Sequence, residues 1–339
     1  MESLAVKYRP RIFDEVCSQE SIVRILNRQL ELNEFKNCYI FSGASGCGKT
    51  TIARIFANEI NKHLGSPIEI DGASNNGVDN VKQIIASASE RALDGGVYKI
   101  YIIDECHMLT TQAWNAFLKC IEEPPTYTIF IFCTTDPQKI PTTVANRCQR
   151  FNFNRIKSSV IKDRLTFICS QEGYTNYTDT CDYISRICSG QMRDGISLLE
   201  KCASYDTDLS LNNTLKALGN YSYDIYFKLI NYLIDGDVKE TLQVINDIYQ
   251  DGGDVKLFID QFLTFCLDIC KYSLCGDYRV TSIPNSYEEE MRRASNFDNS
   301  LSYYNYVVDK LLNLKNMLKT DIRPKDTIEV MLMDIARCK

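Results

Sequence analysis

The sequence has no apolar run approaching the roughly twenty uncharged residues a helix needs to cross a bilayer. Its N-terminus opens on Glu2, Lys7 and Arg9, without the apolar stretch of a secretory leader. These two absences predict a soluble, unexported chain, and its scattered cysteines fit a reducing cytoplasm. There is no C-x-x-C pair and there are only 2 histidines, so the common spacings of zinc and thiol-redox sites are missing. No internal repeat or low-complexity tract occurs. Positive charge is not in excess: 38 Lys and Arg against 44 Asp and Glu leave a formal net charge of -6. Such a chain has no global attraction for nucleic acid, and any contact with DNA must come from a local surface or from helix N-termini.

What is present is a long, core-forming sequence. At 339 residues and 45% hydrophobic content it suits two or three domains, and the apolar fraction excludes a largely disordered protein. The 15 cysteines are scattered through periodic hydrophobic segments. Cys120, Cys133, Cys169 and Cys266 sit among Leu, Ile and Phe, where a reduced cysteine serves as a small core residue.

Between Asn37 and Phe153 short apolar runs alternate with helical patterns, the signature of a parallel sheet covered by helices. Three runs read as buried strands: residues 38–41 (CYIF), 99–103 (KIYII) and 128–132 (TIFIF). After Arg155 the strand signals fade. Val307, Leu311, Leu314 and Leu318 recur at helical spacing on one face, so the C-terminal half is expected to be mostly helical. The turn-prone pair Gly219-Asn220 marks a softer boundary. Residues 276–299, with Pro284, Asn285 and several charges, read as a long loop between helices.

Residues 43–50, GASGCGKT, match the phosphate loop G-x-x-x-x-G-K-[ST], placed directly after a strand and before a helical pattern beginning at Thr51. Gly43, Gly46 and Gly48 let the backbone wrap so that amide N–H groups, including that of Cys47, face phosphate. The helix N-terminus adds its partial positive charge. Lys49 is expected to reach the β- and γ-phosphates, and the Thr50 hydroxyl to ligate Mg²⁺. A second acidic element, Asp104-Glu105, ends the strand 99–103, at the edge that faces bound phosphates in such proteins. Asp104 is expected to hold Mg²⁺ through water and Glu105 to polarise the attacking water. His107 has no metal-ligand spacing to any other candidate and reads as a packing or hydrogen-bonding residue. These residues alone indicate Mg²⁺-dependent nucleotide hydrolysis and leave open what it drives.

The order of motifs carries a resemblance. Lys7-Tyr8-Arg9-Pro10, Phe13-Asp14-Glu15-Val16, the phosphate loop, residues 69–79 (EIDGASNNGVD), Asp104-Glu105-Cys106-His107-Met108-Leu109, Glu122-Glu123-Pro124-Pro125, residues 134–141 (TTDPQKIP) and Arg147-Cys148-Gln149-Arg150-Phe151 resemble the AAA+ module of the bacterial DNA polymerase III gamma/tau subunit family. The similarity is dense over residues 4–200 and looser beyond. It implies an α/β P-loop AAA+ domain over residues 1–156, a helical lid over 157–219 and an all-α collar, an oligomerisation domain, over 220–339. It implies an ATP-dependent clamp-loader subunit that opens a sliding clamp and places it on primer-template DNA, assembled with other loader subunits in a homo- or hetero-oligomer, pentameric in this family, with no membrane partner.

The same resemblance makes Thr135 the polar group between the acidic pair and the γ-phosphate. Arg193 becomes the lid arginine that reaches the nucleotide, and Arg147 the finger that completes a neighbouring subunit's site. Tyr8, Arg9 and Val16 fall in the segment that lies against adenine, and Thr51 continues the nucleotide-binding loop. Ser74, Asn75, Asn76 and Lys82 fall in the loop and helix that face DNA in the central channel. Two departures stand out. The family's four-cysteine zinc module lies between phosphate loop and acidic pair, yet no cysteine occurs between Cys47 and Cys106, so no zinc is expected. The finger motif reads Asn146-Arg147-Cys148 where the family has Ser-Arg-Cys. The chain stops at Lys339, where the collar is expected to end, without the longer form's extensions. A short, zinc-free form of this kind points to a virus or phage, or a reduced genome. Two other classes share the ATP site: another AAA+ DNA motor, such as a branch-migration helicase, and a loader scaffold subunit that binds ATP without hydrolysing it.

Overall fold

The computed structural model describes residues 2–90, 95–297 and 299–337. It divides into two compact units: Met1–Leu165 with Cys188–Ser197, and Thr166–Ile187 with Leu198–Lys339. The segment 157–219 expected as a lid therefore contributes to both.

The first unit is built on a five-stranded parallel sheet, β1 (Cys38–Gly43), β2 (Ile68–Asp71), β3 (Lys99–Asp104), β4 (Thr128–Thr134) and β5 (Gln149–Phe153), in the order β2-β3-β4-β1-β5. The three runs of the sequence correspond to β1, β3 and β4, which lie inside the sheet. Successive side chains alternate between faces. Tyr39, Phe41, Ile100, Ile102, Ile129 and Ile131 pack with Ile52 and Phe56 of the helix Lys49–Ile60 on one face. Cys38, Ile40, Tyr101, Ile103, Phe130 and Phe132 pack with Trp114 and Phe117 of the helix Thr111–Glu122 on the other. Helices thus cover both faces, which is why the interiors of the central strands are apolar.

The two edge strands were not read as strands from the sequence. In β2 only Ile70 is better than exposed, and β5 buries Phe151 and Phe153 while Arg150 and Asn152 face out. An edge strand needs no continuous apolar run.

The second unit is helical. Its core gathers Phe258, Phe262 and Ile269 of the helix Val255–Cys275, Tyr304, Val307, Leu311 and Leu314 of Ser300–Met317, and Ile328 and Leu332 of Pro324–Arg337. The face expected from Val307, Leu311 and Leu314 is the buried one, with Leu318 just past the helix end. The loop expected over 276–299 is corrected: a helix, Glu288–Ser295, occupies its later part. Three glutamates in its first turn and two arginines in its last suit the helix dipole, and Met291 and Ala294 at i, i+3 bury into the core. The earlier part is held by Arg186, which donates to the carbonyls of Tyr278, Thr281 and Ile283. Buried Asp268 accepts from the Ser282 amide at 2.7 Å.

Among the described residues no helix is long and apolar enough to cross a membrane.

Candidate functional site

The C-terminal edge of the sheet gathers most of the expected residues within the first unit. The chain leaves β1 at Gly43, where a Cβ would stand 2.5 Å from the Phe153 carbonyl oxygen. Only glycine lets β1 and β5 approach so closely there. Residue 48 precedes the helix Lys49–Ile60 with φ +101°, a conformation glycine supplies without strain, and a Cβ there would meet nothing within 4 Å. The loop is therefore open on that side.

Lys49 is buried, and its Nζ donates to the carbonyls of Gly43 and Ala44, both at 2.9 Å. Three donors on the ammonium leave one for an outside acceptor. Cys47 turns the other way: its side chain is buried in the core under the sheet, and burial pushes its thiol pKa up despite the nearby Lys49. Only its backbone belongs to the loop, with the carbonyl accepting from Gln19 Nε2 at 3.4 Å. Gln19 also donates to the Asn154 carbonyl at 2.7 Å, so it ties the loop to the chain leaving β5. Sequence reasoning did not single it out.

Thr50 Oγ1 donates to Asp104 Oδ2 at 2.8 Å, bringing one hydroxyl and one carboxylate together across 54 residues. A pair of hard oxygen donors fits Mg²⁺, which is commonly held by one or two protein groups with phosphate and water completing the shell. Among the described residues no cluster of three or more His, Cys, Asp or Glu is placed to hold a metal ion.

Beyond Asp104 the backbone turns sharply. Glu105 adopts φ 44°, ψ 41°, a left-handed conformation that a non-glycine residue holds only when its surroundings dictate it. Its amide donates to Asp104 Oδ1 at 3.0 Å, and Met108 N donates to the Glu105 carbonyl at 3.0 Å. Gly72, just after β2, donates to the Asp104 carbonyl at 2.7 Å. Thr135, just past the end of β4, donates through Oγ1 to Glu105 Oε2 at 3.1 Å.

Arg9 donates through Nε to Thr51 Oγ1 at 3.3 Å, which fixes the N-terminal segment to the start of the phosphate-loop helix. Burial, with Arg54 nearby, holds its guanidinium below its ordinary pKa. The Tyr8 carbonyl accepts from Arg164 at 2.8 Å, and Val16 packs half-buried against the core under the sheet. Met192 N donates to the Gly46 carbonyl at 3.1 Å, and a Cβ on Gly46 would lie 3.4 Å from Arg193 Cβ. Arg193 thus stands beside the loop.

Two expected groups lie apart from this cluster. Arg147 is held by Glu122 and by the Thr143 carbonyl, and Asn146 Oδ1 accepts from Arg150 at 2.9 Å. In the loop after β2, Ser74 donates to Asp71 Oδ2 at 2.5 Å and Asn75 Nδ2 to the Asp71 carbonyl at 3.1 Å. The Asn76 carbonyl accepts from Thr110 N at 3.1 Å. Exposed Lys82 lies on the helix Val78–Ala88, 3.7 Å from Asp79.

Comparison with known proteins follows the same lines. Residues 66–157 match the family described as DNA polymerase III, delta subunit, and residues 209–305 that described as DNA polymerase III subunits gamma and tau domain III. The chain is 33% identical over 352 residues to the DNA polymerase III subunit tau of Bacillus subtilis, a match covering 97% of this chain and 62% of that protein. It is 31% identical to the DNA polymerase III subunit gamma of Buchnera aphidicola, covering 77% of this chain and 78% of that one. Its length thus spans only part of some relatives, as with the 52% matched in the Mycoplasma genitalium gamma/tau subunit. Among solved structures, the Thermotoga maritima RuvB Holliday junction branch migration motor matches 67% of this chain and 80% of its own, with TM-score 0.54 at 19% identity. That likeness concerns the fold alone.

Proposed function

Since the chain belongs to the DNA polymerase III gamma/tau subunit family, we propose that it is a Mg²⁺-dependent ATPase subunit of a clamp loader, opening a sliding clamp and placing it on primer-template DNA. The observation that carries the reading is the convergence of Lys49, the Thr50–Asp104 pair and the Glu105–Thr135 pair at one sheet edge.

Each residue has a task in this account. Lys49, anchored by two loop carbonyls, neutralises charge on the β- and γ-phosphates, helped by amides of residues 43–50. Thr50 and Asp104 would hold Mg²⁺, which would supply positive charge against the charge developing on the phosphates. Glu105 orients and polarises the attacking water, and Thr135 steadies its carboxylate. Tyr8, Arg9 and Val16 line the nucleoside side. Arg193 reaches the phosphates from the segment 157–219, which with 220–339 forms the proposed lid and collar. Arg147 serves a neighbour's site, because a cation placed on the transferring phosphoryl group acts mainly on the transition state. Ser74, Asn75, Asn76 and Lys82 offer loop and helix N-terminal groups to DNA phosphates. The partners are the clamp, primed DNA and other loader subunits in an oligomer, and no zinc is required.

The branch-migration reading has only fold likeness behind it. A scaffold that does not hydrolyse ATP has no use for Glu105 beside Thr135. The deciding experiment is the ATPase rate with clamp and primed DNA, separately and together.

A further inference from the structure

His107 is one of only 2 histidines, and no task in the account above uses it. The left-handed backbone at Glu105 turns the chain back on itself, so residue 107 faces the side chain of residue 105. His107 Nδ1 lies 3.2 Å from Glu105 Oε2, the imidazole side chain only 12% exposed. The same nitrogen lies 3.2 Å from Thr134 Oγ1, whose oxygen also accepts from the Asp136 amide at 3.0 Å.

A ring nitrogen carries either a hydrogen or a lone pair. A lone pair at Nδ1 would stand against an anionic carboxylate oxygen, two acceptors face to face. The hydrogen therefore sits on Nδ1, donates to Thr134 Oγ1, and holds its partial positive charge close to Glu105 Oε2. Thr135 Oγ1 donates to the same Oε2 at 3.1 Å. Oε2 thus accepts from Thr135 and lies against the polar edge of the imidazole, and among the described residues Oε1 has no such contact, which leaves it for another donor.

From this geometry we propose that His107 is a positioning residue for hydrolysis. The positive edge of its Nδ1–H, 3.2 Å away, together with the Thr135 hydroxyl, holds Oε2 of Glu105 so that Oε1 is presented to the attacking water. This rests on the reading of Glu105 as the group that polarises that water. The pinning is needed because Glu105 is 38% exposed on its side chain, and an unrestrained carboxylate there would sample several rotamers. His107 touches neither nucleotide nor water; it acts through Glu105.

The test measures single-turnover ATP hydrolysis and equilibrium ATP binding for the full chain in its purified loader assembly, with clamp and primed DNA. Three variants are compared: His107→Ala, His107→Asn and His107→Gln. The Asn amide places an N–H near the position of Nδ1, whereas the Gln amide reaches toward that of Nε2. His107→Ala is expected to slow hydrolysis roughly 10- to 100-fold, the range in which outer partners of a reacting group act. ATP affinity should stay within about twofold, since the interaction serves the chemical step and not binding. His107→Asn should recover most of the rate and His107→Gln should not. In a Glu105→Gln background, His107→Ala should cost nothing further, because the carboxylate it orients is gone. Equal losses from Asn and Ala, or a loss that adds fully to that of Glu105→Gln, would overturn the inference. A slow Glu105→Gln beside a normal His107→Ala also overturns it and leaves the proposed function standing; normal rates in both overturn the two together.

Discussion

Arg147 pairs with Glu122 of its own chain, Nη2 to Oε1 at 2.7 Å, while Nη1 donates to the Thr143 carbonyl at the same distance. The two side chains are 42% and 48% exposed, and a pair this wet contributes about 0–1 kcal/mol. Arg147 is therefore cheaply released, as its proposed role beside a neighbouring subunit requires. Arg147→Ala is expected to lower turnover in the assembly about 10³-fold while leaving ATP affinity nearly unchanged, since the missing charge acts on the transition state. Titrating the variant into wild-type assemblies should silence adjacent wild-type sites. A linear decline that follows only the mutant chain's own share would place Arg147 in its own site or in none.

Lys49→Ala removes the buried ammonium that bridges the Gly43 and Ala44 carbonyls. The expected outcome is loss of ATP binding, and with it loss of ATP-dependent clamp binding, in a chain that still folds. Titration with a fluorescent ATP analogue and a circular dichroism melt check the two halves. Clamp loading at the wild-type rate would mean that the phosphate loop is not used.

Gly72→Ala tests the link between β2 and the acidic pair. An added Cβ would meet the Asp104 carbonyl oxygen at 2.9 Å and that of Glu105 at 3.0 Å. Both neighbours are backbone and cannot swing aside, so a cost of about 1–3 kcal/mol is expected. Because the displaced atoms carry Asp104 and Glu105, turnover should fall along with the melting temperature. A variant with wild-type stability and rate would show that the loop after β2 does not fix the acidic pair.

The interior strands and the phosphate loop were legible in the sequence for one reason: both faces of β1, β3 and β4 are covered, so their residues form continuous apolar runs, and the loop has a fixed glycine spacing. β2 and β5 escaped because an edge strand alternates or is mostly exposed, as Arg150 and Asn152 of β5 are. The helix Glu288–Ser295 escaped because six of its eight residues are Glu, Arg or Ser. Its helical character lies in charge placement and in two buried residues, which a search for apolar periodicity passes over. Among site residues, Gln19, Gly72 and Glu122 act by reaching partners distant in the chain, and no local pattern marks them. His107 was visible as an isolated histidine, but the turn at Glu105 that gives it a partner is a backbone property.

The buried thiols predict a pH dependence. Burial pushes Cys106, Cys133 and Cys266 well above the usual thiol range and Cys202 up to about 11. In the unfolded chain such thiols ionise near about 8.5. The unfolded state then releases protons that the folded state keeps, so this contribution is fully present below that value and is lost as pH rises toward the folded values. Each thiol should remove up to about 1.4 kcal/mol of stability per pH unit in that window. Melting temperatures measured between about pH 7.5 and 9.5 should fall, and iodoacetamide should label exposed Cys17 and Cys275 well before the buried thiols. A flat profile with rapid labelling of Cys133 would contradict the packing described.

The most direct measurement is the steady-state ATPase rate of the purified chain, with its loader partners, under four conditions: alone, with sliding clamp, with primed DNA, and with both. A clamp loader couples the Glu105 step to both ligands, so the rate should rise most when the two are present together and collapse in Glu105→Gln without loss of ATP binding. A rate indifferent to the clamp, or stimulated by branched DNA in its absence, would contradict the account.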